Sequence, residues 1–421
     1  MRKIYLVLLM VCFSAVVNAQ VTVTVDNPAN TTPNLNVSYP SLASAVTALS
    51  GITAISGPVT LSCAAGTETA PAGGYVINFA AATTSTNNVV IDGAGAVTLT
   101  APTPQTAGAL NDAIVKIIGS DFVTIQGFTM LENAGNTTTT AASNNMTEWG
   151  VALLYASTTN GAQNITVQNN TITLNRTYQN TFGIYSNSTH SATTVTTSAT
   201  ATTTAGGNSG MKAYTNNISN VNIGIVVVGP TAAADANTGI DIGGAAAGTG
   251  NTITNFGTTG TFSGYVNVSG TVNGILVRNS VGFNVSFNTV TSSAGGTTAG
   301  TLNGIQIPAS SNAPTTTFTN TISNNTISLQ SGLTTGAMNG ISYPSGSASA
   351  TSTANINNNN FLHSDIQQPV PAERSHLSRL RVQTSLQLLT VTRLQTFRLI
   401  QREVSLSFPR VLQHLQQERR R

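Results

Sequence analysis

The sequence predicts an all-β solenoid, a stack of short strands closed at its N-terminal end by one short capping helix. Three observations predict it. First, one phrase returns along the chain: Asn169-Asn170-Thr171-Ile172, Asn216-Asn217-Ile218, Asn251-Thr252-Ile253, Asn288-Thr289-Val290, Asn324-Asn325-Thr326-Ile327 and Asn359-Asn360-Phe361. Its apolar residue stands at 172, 218, 253, 290, 327 and 361, so the steps are 46, 35, 37, 37 and 34. A period in the range of about 20–50 residues marks a solenoid, a propeller or an array. Second, a Gly-apolar phrase alternates with it at Gly150-Val151, Gly183-Ile184, Gly224-Ile225, Gly239-Ile240, Gly274-Ile275, Gly304-Ile305 and Gly340-Ile341. Third, the body is rich in Thr, Val, Ile, Asn and Gly and nearly uncharged. That mix suits short strands between tight turns, whereas disordered chains carry charge and few β-branched residues.

In chain order, residues 1–19 read as a secretion signal. Arg2 and Lys3 are followed by an apolar run too short to span a membrane, and Val17-Asn18-Ala19 offers a small-x-small cleavage site after Ala19. No later stretch is long and apolar enough to be a transmembrane segment. Residues 20–80 form the N-terminal cap and first strands. Val21–Val25 alternates with period two as a strand. Pro40–Leu49 is the one convincing helix, with Leu42, Ala45, Val46 and Leu49 on one face and Ser50-Gly51 as its stop. A solenoid exposes its first core layer, and this helix is assigned to cover it. Residues 81–361 carry the repeats. A rung of about 35 residues holds three strands, and about eight rungs stack over roughly 40 Å at the usual strand spacing. Glycine before the Ile is expected to make a tight corner. Asparagine at the other corner is expected to adopt the left-handed conformation and to bond its neighbours along the stack. The Thr/Ser/Asn-rich stretches 137–145, 186–210 and 231–237 read as loops leaving a corner.

The charge is split along the chain. The net +3 divides into +2 in the signal, −5 in residues 20–360 and +6 in residues 361–421. The body therefore carries no electrostatic footprint for nucleic acid. Cys12 leaves with the signal, so Cys63 has no disulfide partner and reads as a small buried apolar residue. After Phe361 glycine and asparagine vanish, and Arg, Gln, Leu and His take over. Residues 362–421 are either a second domain or the product of a reading-frame slip. Thr and Ala codons have C in second place, so reading them one base late yields Leu, Pro, His, Gln or Arg. A slip predicts that the upstream frame restores the repeats past Phe361 and that the recorded chain is a fragment lacking its C-terminal cap.

The phrases Asn324-Asn325-Thr326-Ile327-Ser328 and Asn303-Gly304-Ile305-Gln306-Ile307 resemble the right-handed parallel β-helix repeat of the pectin-lyase-like superfamily. The opening Tyr39–Ala45, with Gly57–Leu61 after it, is similar to the start of large secreted surface proteins of Bacteroidetes-type bacteria. The resemblance covers roughly residues 36–361 and implies a right-handed parallel β-helix. It leaves function open, because that superfamily includes polysaccharide enzymes, adhesins and passive rods.

Polysaccharide cleavage on such a scaffold needs clustered carboxylates, or carboxylates holding Ca²⁺ beside a base. The polygalacturonase-type phrases Asn-Thr-Asp, Asp-Asp, Gly-His-Gly and Arg-Ile-Lys do not occur. His190 reads as a surface-loop residue. Asp92 and Asp121, about one rung apart, read as turn residues, with a stacked cation site as the sharper alternative. Glu132 and Glu148 read as solvated and Trp149 as packed, against a sugar-stacking edge. Asp235 and Asp241 stand in or beside an insertion without a basic partner, and Arg278 reads as solvated. The threonines are not expected to form a sustained outward Thr-x-Thr column of the kind that binds ice. No catalytic, cofactor-binding or metal residue is assigned, and no cofactor. The sequence reading is a secreted or outer-surface protein with a structural, adhesive or carbohydrate-binding role, its partner a polysaccharide or a host or cell-surface glycan. A polysaccharide lyase or glycoside hydrolase is the alternative, and three carboxyls gathered on one outer face would favour it.

Overall fold

The structure is a computed structural model that describes residues 20–140, 142–191, 200–257, 271–292, 301–308, 317–331, 337–344 and 353–366. The chain divides into two units, Met1–Val391 and Thr392–Arg421, and every described residue belongs to the first. The signal assigned to 1–19 and the tail from 367 onward lie outside the described residues.

The first unit is a parallel β-helix whose turns each supply three strands. The first column runs through Val59–Cys63, Val89–Asp92, Val123–Gln126, Thr166–Gln168, Lys212–Tyr214, Asp241–Ile242, Asn284–Ser286, Thr319–Ser323 and Thr353–Asn357. The second column begins at Gly66–Thr69 and ends at Asn360–Ile366. Its strands include Thr171–Thr173, Asn217–Ser219, Thr252–Phe256, Thr289–Ser292 and Thr326–Ser331. The third column is a separate 8-stranded parallel sheet from Tyr75–Ile77 to Met338–Ser342, which matches the expected rung number. The alternation of apolar and polar residues sets the register, because a slip by one residue would turn the buried set outward. Ile172, Ile218, Ile253, Val290 and Ile327 therefore lie on one another inside the second column, as Ile184, Ile225, Ile275 and Ile305 do inside the third. All are buried in one continuous core.

The helix spans Leu42–Ser50, slightly later than the sequence placed it. Ser41 is its N-cap and accepts from the Ser44 N–H at 3.1 Å. The Glu68 carboxylate accepts from the N–H groups of Leu42 and Ala43, both at 2.9 Å. These are donors that the first helical turn leaves unpaired, and a negative charge there also complements the helix dipole. Leu42, Ala45, Val46 and Leu49 face the core. Before the helix, Val23–Asp26 pairs antiparallel with Ser38–Tyr39 and with Val59–Cys63. Cys63 is buried, and burial first, then Glu68 and Asp92, push its thiol up to about 12, so it stays an unreactive packing residue.

The repeated asparagine phrase resolves into two jobs. The residue just before the ladder asparagine turns the corner in five of six copies: Asn169, Thr215, Phe287, Asn324 and Asn358 have φ of 56°, 51°, 62°, 57° and 53°, the left-handed region that asparagine tolerates best. The asparagine after it, first or second in the phrase, forms a ladder. Asn170 Nδ2 donates to Asn216 Oδ1 at 3.1 Å, Asn216 to Asn251 at 2.9 Å, and Asn251 to Asn288 at 2.9 Å. The ladder continues from Asn288 to Asn325 at 3.0 Å and from Asn325 to Asn359 at 2.9 Å. Each Nδ2 also donates to a carbonyl in the first column, as Asn251 does to Ala213 O at 2.8 Å. A second amide ladder, Asn339 to Asn303 to Asn273, runs in the third column at 2.8 Å per step.

The glycine of the other phrase differs from expectation. Gly150, Gly183, Gly224, Gly274 and Gly304 sit inside third-column strands without left-handed φ, not at corners. A Cβ on Gly183 would stand 2.4 Å from Ile218 Cγ2, and one on Gly224 would stand 2.7 Å from Ile253 Cγ2. The missing side chain receives the Ile of the asparagine phrase, so the two phrases recur together because they interlock. Gly239 is no member of this set. Its φ is 65° and it precedes the first-column strand Asp241–Ile242.

Candidate functional site

The first-column outer face carries contiguous polar side chains. Register places Thr124, Thr166, Lys212, Asp241, Asn284 and Thr321 in one file. In the neighbouring file Gln126 Nε2 donates to Asp92 Oδ2 at 2.8 Å, and Gln168 Nε2 donates to Gln126 Oε1 at 2.7 Å. Asp92 thus meets Gln126 in register, not Asp121, and its other oxygen accepts from the Ala94 N–H at 2.7 Å. Asp92 is the last residue of its first-column strand, where its carboxylate caps the corner that follows, and it does not stack on Asp121. Asp121 accepts from the Gln163 N–H at 2.7 Å.

The center of this face is Tyr214 and Asp241. The Tyr214 hydroxyl donates to Asp241 Oδ2 at 2.6 Å. Asp241 Oδ1 accepts from Asn284 Nδ2 at 2.7 Å and from the Gly244 N–H at 3.1 Å. Desolvation first, and then the Asp241 hydrogen bond and charge, push the Tyr214 phenol up. Tyr214 keeps a half-exposed ring beside fixed amide and carboxylate groups, and Lys212 is exposed on the same strand. The sequence reading saw Asp241 without a basic partner. It missed the tyrosine because the two lie 27 residues apart and meet only through the register.

The second column has a face of another kind. Thr98, Thr129, Thr171, Asn217, Thr252, Thr289 and Thr326 form one outward file. Thr100, Leu131, Thr173, Ser219, Thr254, Thr291 and Ser328 form the file beside it. Thr-x-Thr pairs stand at positions 98/100, 171/173, 252/254 and 289/291, but Leu131, Asn217, Ser219 and Ser328 interrupt the files, so among the described residues no sustained Thr-x-Thr column forms, as the sequence reading expected. Strand pairing still aligns those pairs with the polar residues between them.

Outside the third column lies a second apolar layer that includes Trp149, Ala152, Leu154, Phe182, Tyr185 and Val226, all buried. The Trp149 and Tyr185 rings stack at 4.7 Å with 8° between planes. His190 meets the indole edge-on at 5.2 Å. It is 1 % exposed and lies within the strand Phe182–Ser191, so it is not the surface-loop residue the sequence predicted. The low-complexity segment reads as exposed in composition, but Ser186, Asn187, Ser188 and Thr189 are buried and hydrogen-bonded. Asn187 Nδ2 donates to the Tyr185 hydroxyl at 2.7 Å, and Asn208 Nδ2 to Ser186 Oγ at 3.1 Å.

Acidic groups gather at the edge of this layer. Glu148 is 0 % exposed and Asp112 is buried, so the expectation of a solvated Glu148 is overturned, while that of a packed Trp149 holds. Glu148 Oε2 accepts from the Asp112 N–H at 2.9 Å. Glu132 is half-buried and holds Thr147 through its N–H and its hydroxyl, both at 2.9 Å. Burial raises Asp112 to about 6 against the attraction of Lys116, and burial beside Asp112 raises Glu148 well above the ordinary range. Lys116 is lowered by its own burial. Arg278 is half-buried rather than fully solvated. Asp112, Glu132 and Glu148 thus influence one another electrostatically, but Glu132 is tied into its loop and the other two are closed off from solvent, so they form no carboxyl cluster on an outer face. Among the described residues no group of three His, Cys, Asp or Glu side chains is placed to hold a metal ion.

His190 is lowered from 6.5 to about 4, by burial first and then by Lys116. Its folded value lies below its unfolded one, so its contribution to stability is present above pH 6.5 and is lost as pH falls toward 4. The stability advantage of the natural protein over His190→Gln is expected to shrink across that window. Thermal midpoints of both proteins from pH 7 to 4 check this, and a constant difference would contradict it.

No helix among the described residues is long and apolar enough to cross a membrane. No protein-family model and no curated protein sequence matches the chain. Among solved structures, the enzymatically active domain of tailspike protein 2 from bacteriophage CBA120 is similar at 12 % identity and a TM-score of 0.30, over 77 % of this chain and 44 % of that one. The A-module of the mannuronan C-5 epimerase AlgE6 from Azotobacter vinelandii is similar at 12 % identity and a TM-score of 0.29, over 78 % of this chain and 94 % of that one. The chain thus spans less than half of the tailspike domain, and the assignment of the fold rests on the strand register itself.

Proposed function

We propose that this chain is an exported β-helix of the cell surface or medium, of the pectin-lyase-like kind, that binds a polysaccharide along the outer face of its first column. The observation that carries the reading is the half-exposed Tyr214 ring set between the Gln126–Gln168 amide file and the Asp241–Asn284 pair. Sugars are held by a ring on which a pyranose stacks and by planar amides and carboxylates that meet adjacent hydroxyls. Groups already locked by their neighbours lose little freedom on binding. The repeat of the face along the stack suits a polymer better than a single sugar.

Binding of the mature chain to immobilised neutral and acidic polysaccharides tests this. Tyr214→Ala and Asp241→Ala are each expected to weaken retention about tenfold, equivalent to roughly 1.4 kcal/mol. Binding that ignores both substitutions, or no binding to any polymer, overturns the reading. The alternative is a polysaccharide lyase or hydrolase, to which Asp112, Glu132 and Glu148 lend no outer carboxyl cluster because Asp112 and Glu148 are buried. Chain cleavage of an acidic plant or algal polymer would establish that instead.

A further inference from the structure

The amide file of the first column has a direction. Register sets Asp92, Gln126, Gln168 and Tyr214 side by side on four successive turns. Asp92 Oδ1 is held by the Ala94 N–H at 2.7 Å, which leaves Oδ2 to face Gln126. A carboxylate offers acceptors only, so Gln126 turns its Nε2 to Asp92, at 2.8 Å, and its Oε1 to Gln168. Gln168 must then turn its own Nε2 to Gln126, at 2.7 Å. The half-buried Gln168 is in register with the Tyr214 ring, and no described group donates to its remaining Oε1. The Tyr214 hydroxyl is committed to Asp241. Lys212, exposed on the same strand, adds donors but no acceptor.

We propose, resting on the polysaccharide reading of this face, that Asp92 is a positioning residue: it fixes Gln168 as an acceptor beside Tyr214. The site therefore takes a polymer whose hydroxyl at that point is free and rejects one that is O-acetylated there. A free hydroxyl donates to Gln168 Oε1. An acetyl ester offers only acceptors, so it leaves that oxygen without a donor. Asp92 stands three turns from the ring, about 14 Å at the usual strand spacing, yet it sets the sign of the amide that meets the ligand. The same bonds fix how the sign inverts. In Asp92→Asn the Ala94 N–H keeps the oxygen of the new amide, so its NH2 group faces Gln126. Gln126 then presents Oε1 to position 92 and Nε2 to Gln168, and Gln168 turns its Nε2 toward the ligand. A donor now stands beside the ring, and the carbonyl of an acetyl ester accepts from it.

Retention of the mature chain on immobilised xylan, β-glucan and alginate tests this, each polymer with free and with chemically O-acetylated hydroxyls. The natural protein is expected to retain the free form of at least one polymer about tenfold better. In Asp92→Asn that ratio is expected to fall toward one, through better retention of the acetylated form. Acetyl bulk alone would exclude both proteins equally. Adding Gln168→Glu to Asp92→Asn is expected to restore the ratio, because the reversed Gln126 amide then donates to a carboxylate whose other oxygen faces the ligand. Equal retention of both forms by the natural protein overturns the proposal, as does a ratio that Asp92→Asn leaves intact. The polysaccharide reading survives either result if Tyr214→Ala still weakens retention. No retention of any polymer overturns that reading and the proposal together. Should Asp92→Asn fail to fold, an unchanged ratio in Gln168→Ala, which removes the acceptor outright, overturns the proposal.

Discussion

Asn251→Ala is expected to cost about 4 kcal/mol, since one substitution strands several buried groups at about 1–3 kcal/mol each. Asn251 Oδ1 accepts from both the backbone N–H and the side-chain amide of Asn216, at 3.1 and 2.9 Å. Its Nδ2 donates to Ala213 O at 2.8 Å and to Asn288 Oδ1 at 2.9 Å. Alanine removes both ends at once, and no water reaches the site to replace them, because Asn216 and Asn288 are buried too. Asn251→Asp makes the mechanism visible. It keeps the acceptors but sets a carboxylate against two oxygens, so its folded value is raised. The Asp variant is expected to be worse than alanine near pH 7 and to recover as pH falls and the carboxyl gains a proton. Urea unfolding at pH 7 and at pH 4 measures both. Thr252→Ala, on the exposed side of the next residue, is the control and is expected to stay within about 0.5 kcal/mol. A loss for Asn251→Ala no larger than that control would remove the ladder from the account of stability.

Gly224→Ala is the second large effect. The new Cβ would stand 2.5 Å from the Gly274 carbonyl oxygen and 2.7 and 2.9 Å from Ile253 Cγ2 and Cδ1. Overpacking of a dense core costs about 1–3 kcal/mol and sometimes more. Here one of the contacts is backbone, which has nowhere to rotate, so a loss of about 3 kcal/mol is expected at the upper end of that range. Ile253→Ala removes the two methyl contacts but is itself expected to cost about 2–5 kcal/mol as a buried truncation, so the double variant is expected to lose less than the sum of the two single losses, with the carbonyl contact left as the uncoupled part. Gly248→Ala, whose Cβ would meet nothing within 4 Å, is the matched control. Urea midpoints of the natural protein, the three single variants and the double variant decide the matter, and a coupling equal to the whole Gly224→Ala loss would show that the carbonyl contact is unimportant.

These two positions also show how far the sequence could be read. The asparagine phrase was legible as a corner and stack element because each copy bonds mainly to the next copy, so selection for the contact leaves a period in the chain. The glycine phrase was legible as a repeat, but its reason was not. A glycine before an isoleucine looks the same at a corner as inside a strand, and only the second-column Ile pressed against it distinguishes the two. The broken outward threonine files were legible, because Leu131, Asn217 and Ser219 interrupt the pattern in the sequence and in the stack alike.

The tyrosine–aspartate face and the buried acidic junction were harder still. Tyr214, Asp241 and Asn284 come from three successive turns, and Asp112, Glu148 and Tyr178 from three others. Each is an ordinary polar residue in its own window, and the Ser/Thr-rich surroundings of His190 resemble those of a solvated loop. By itself, the sequence determined the solenoid, its rung length, its three-strand turn and the identity of its core, because a period of neighbouring contacts is written once per turn. The tertiary structure alone decided which polar residues face water and which are shut away with perturbed protons. That depends on what the adjoining loops lay over a side chain, and burial is a property of the assembled layers that no single repeat contains.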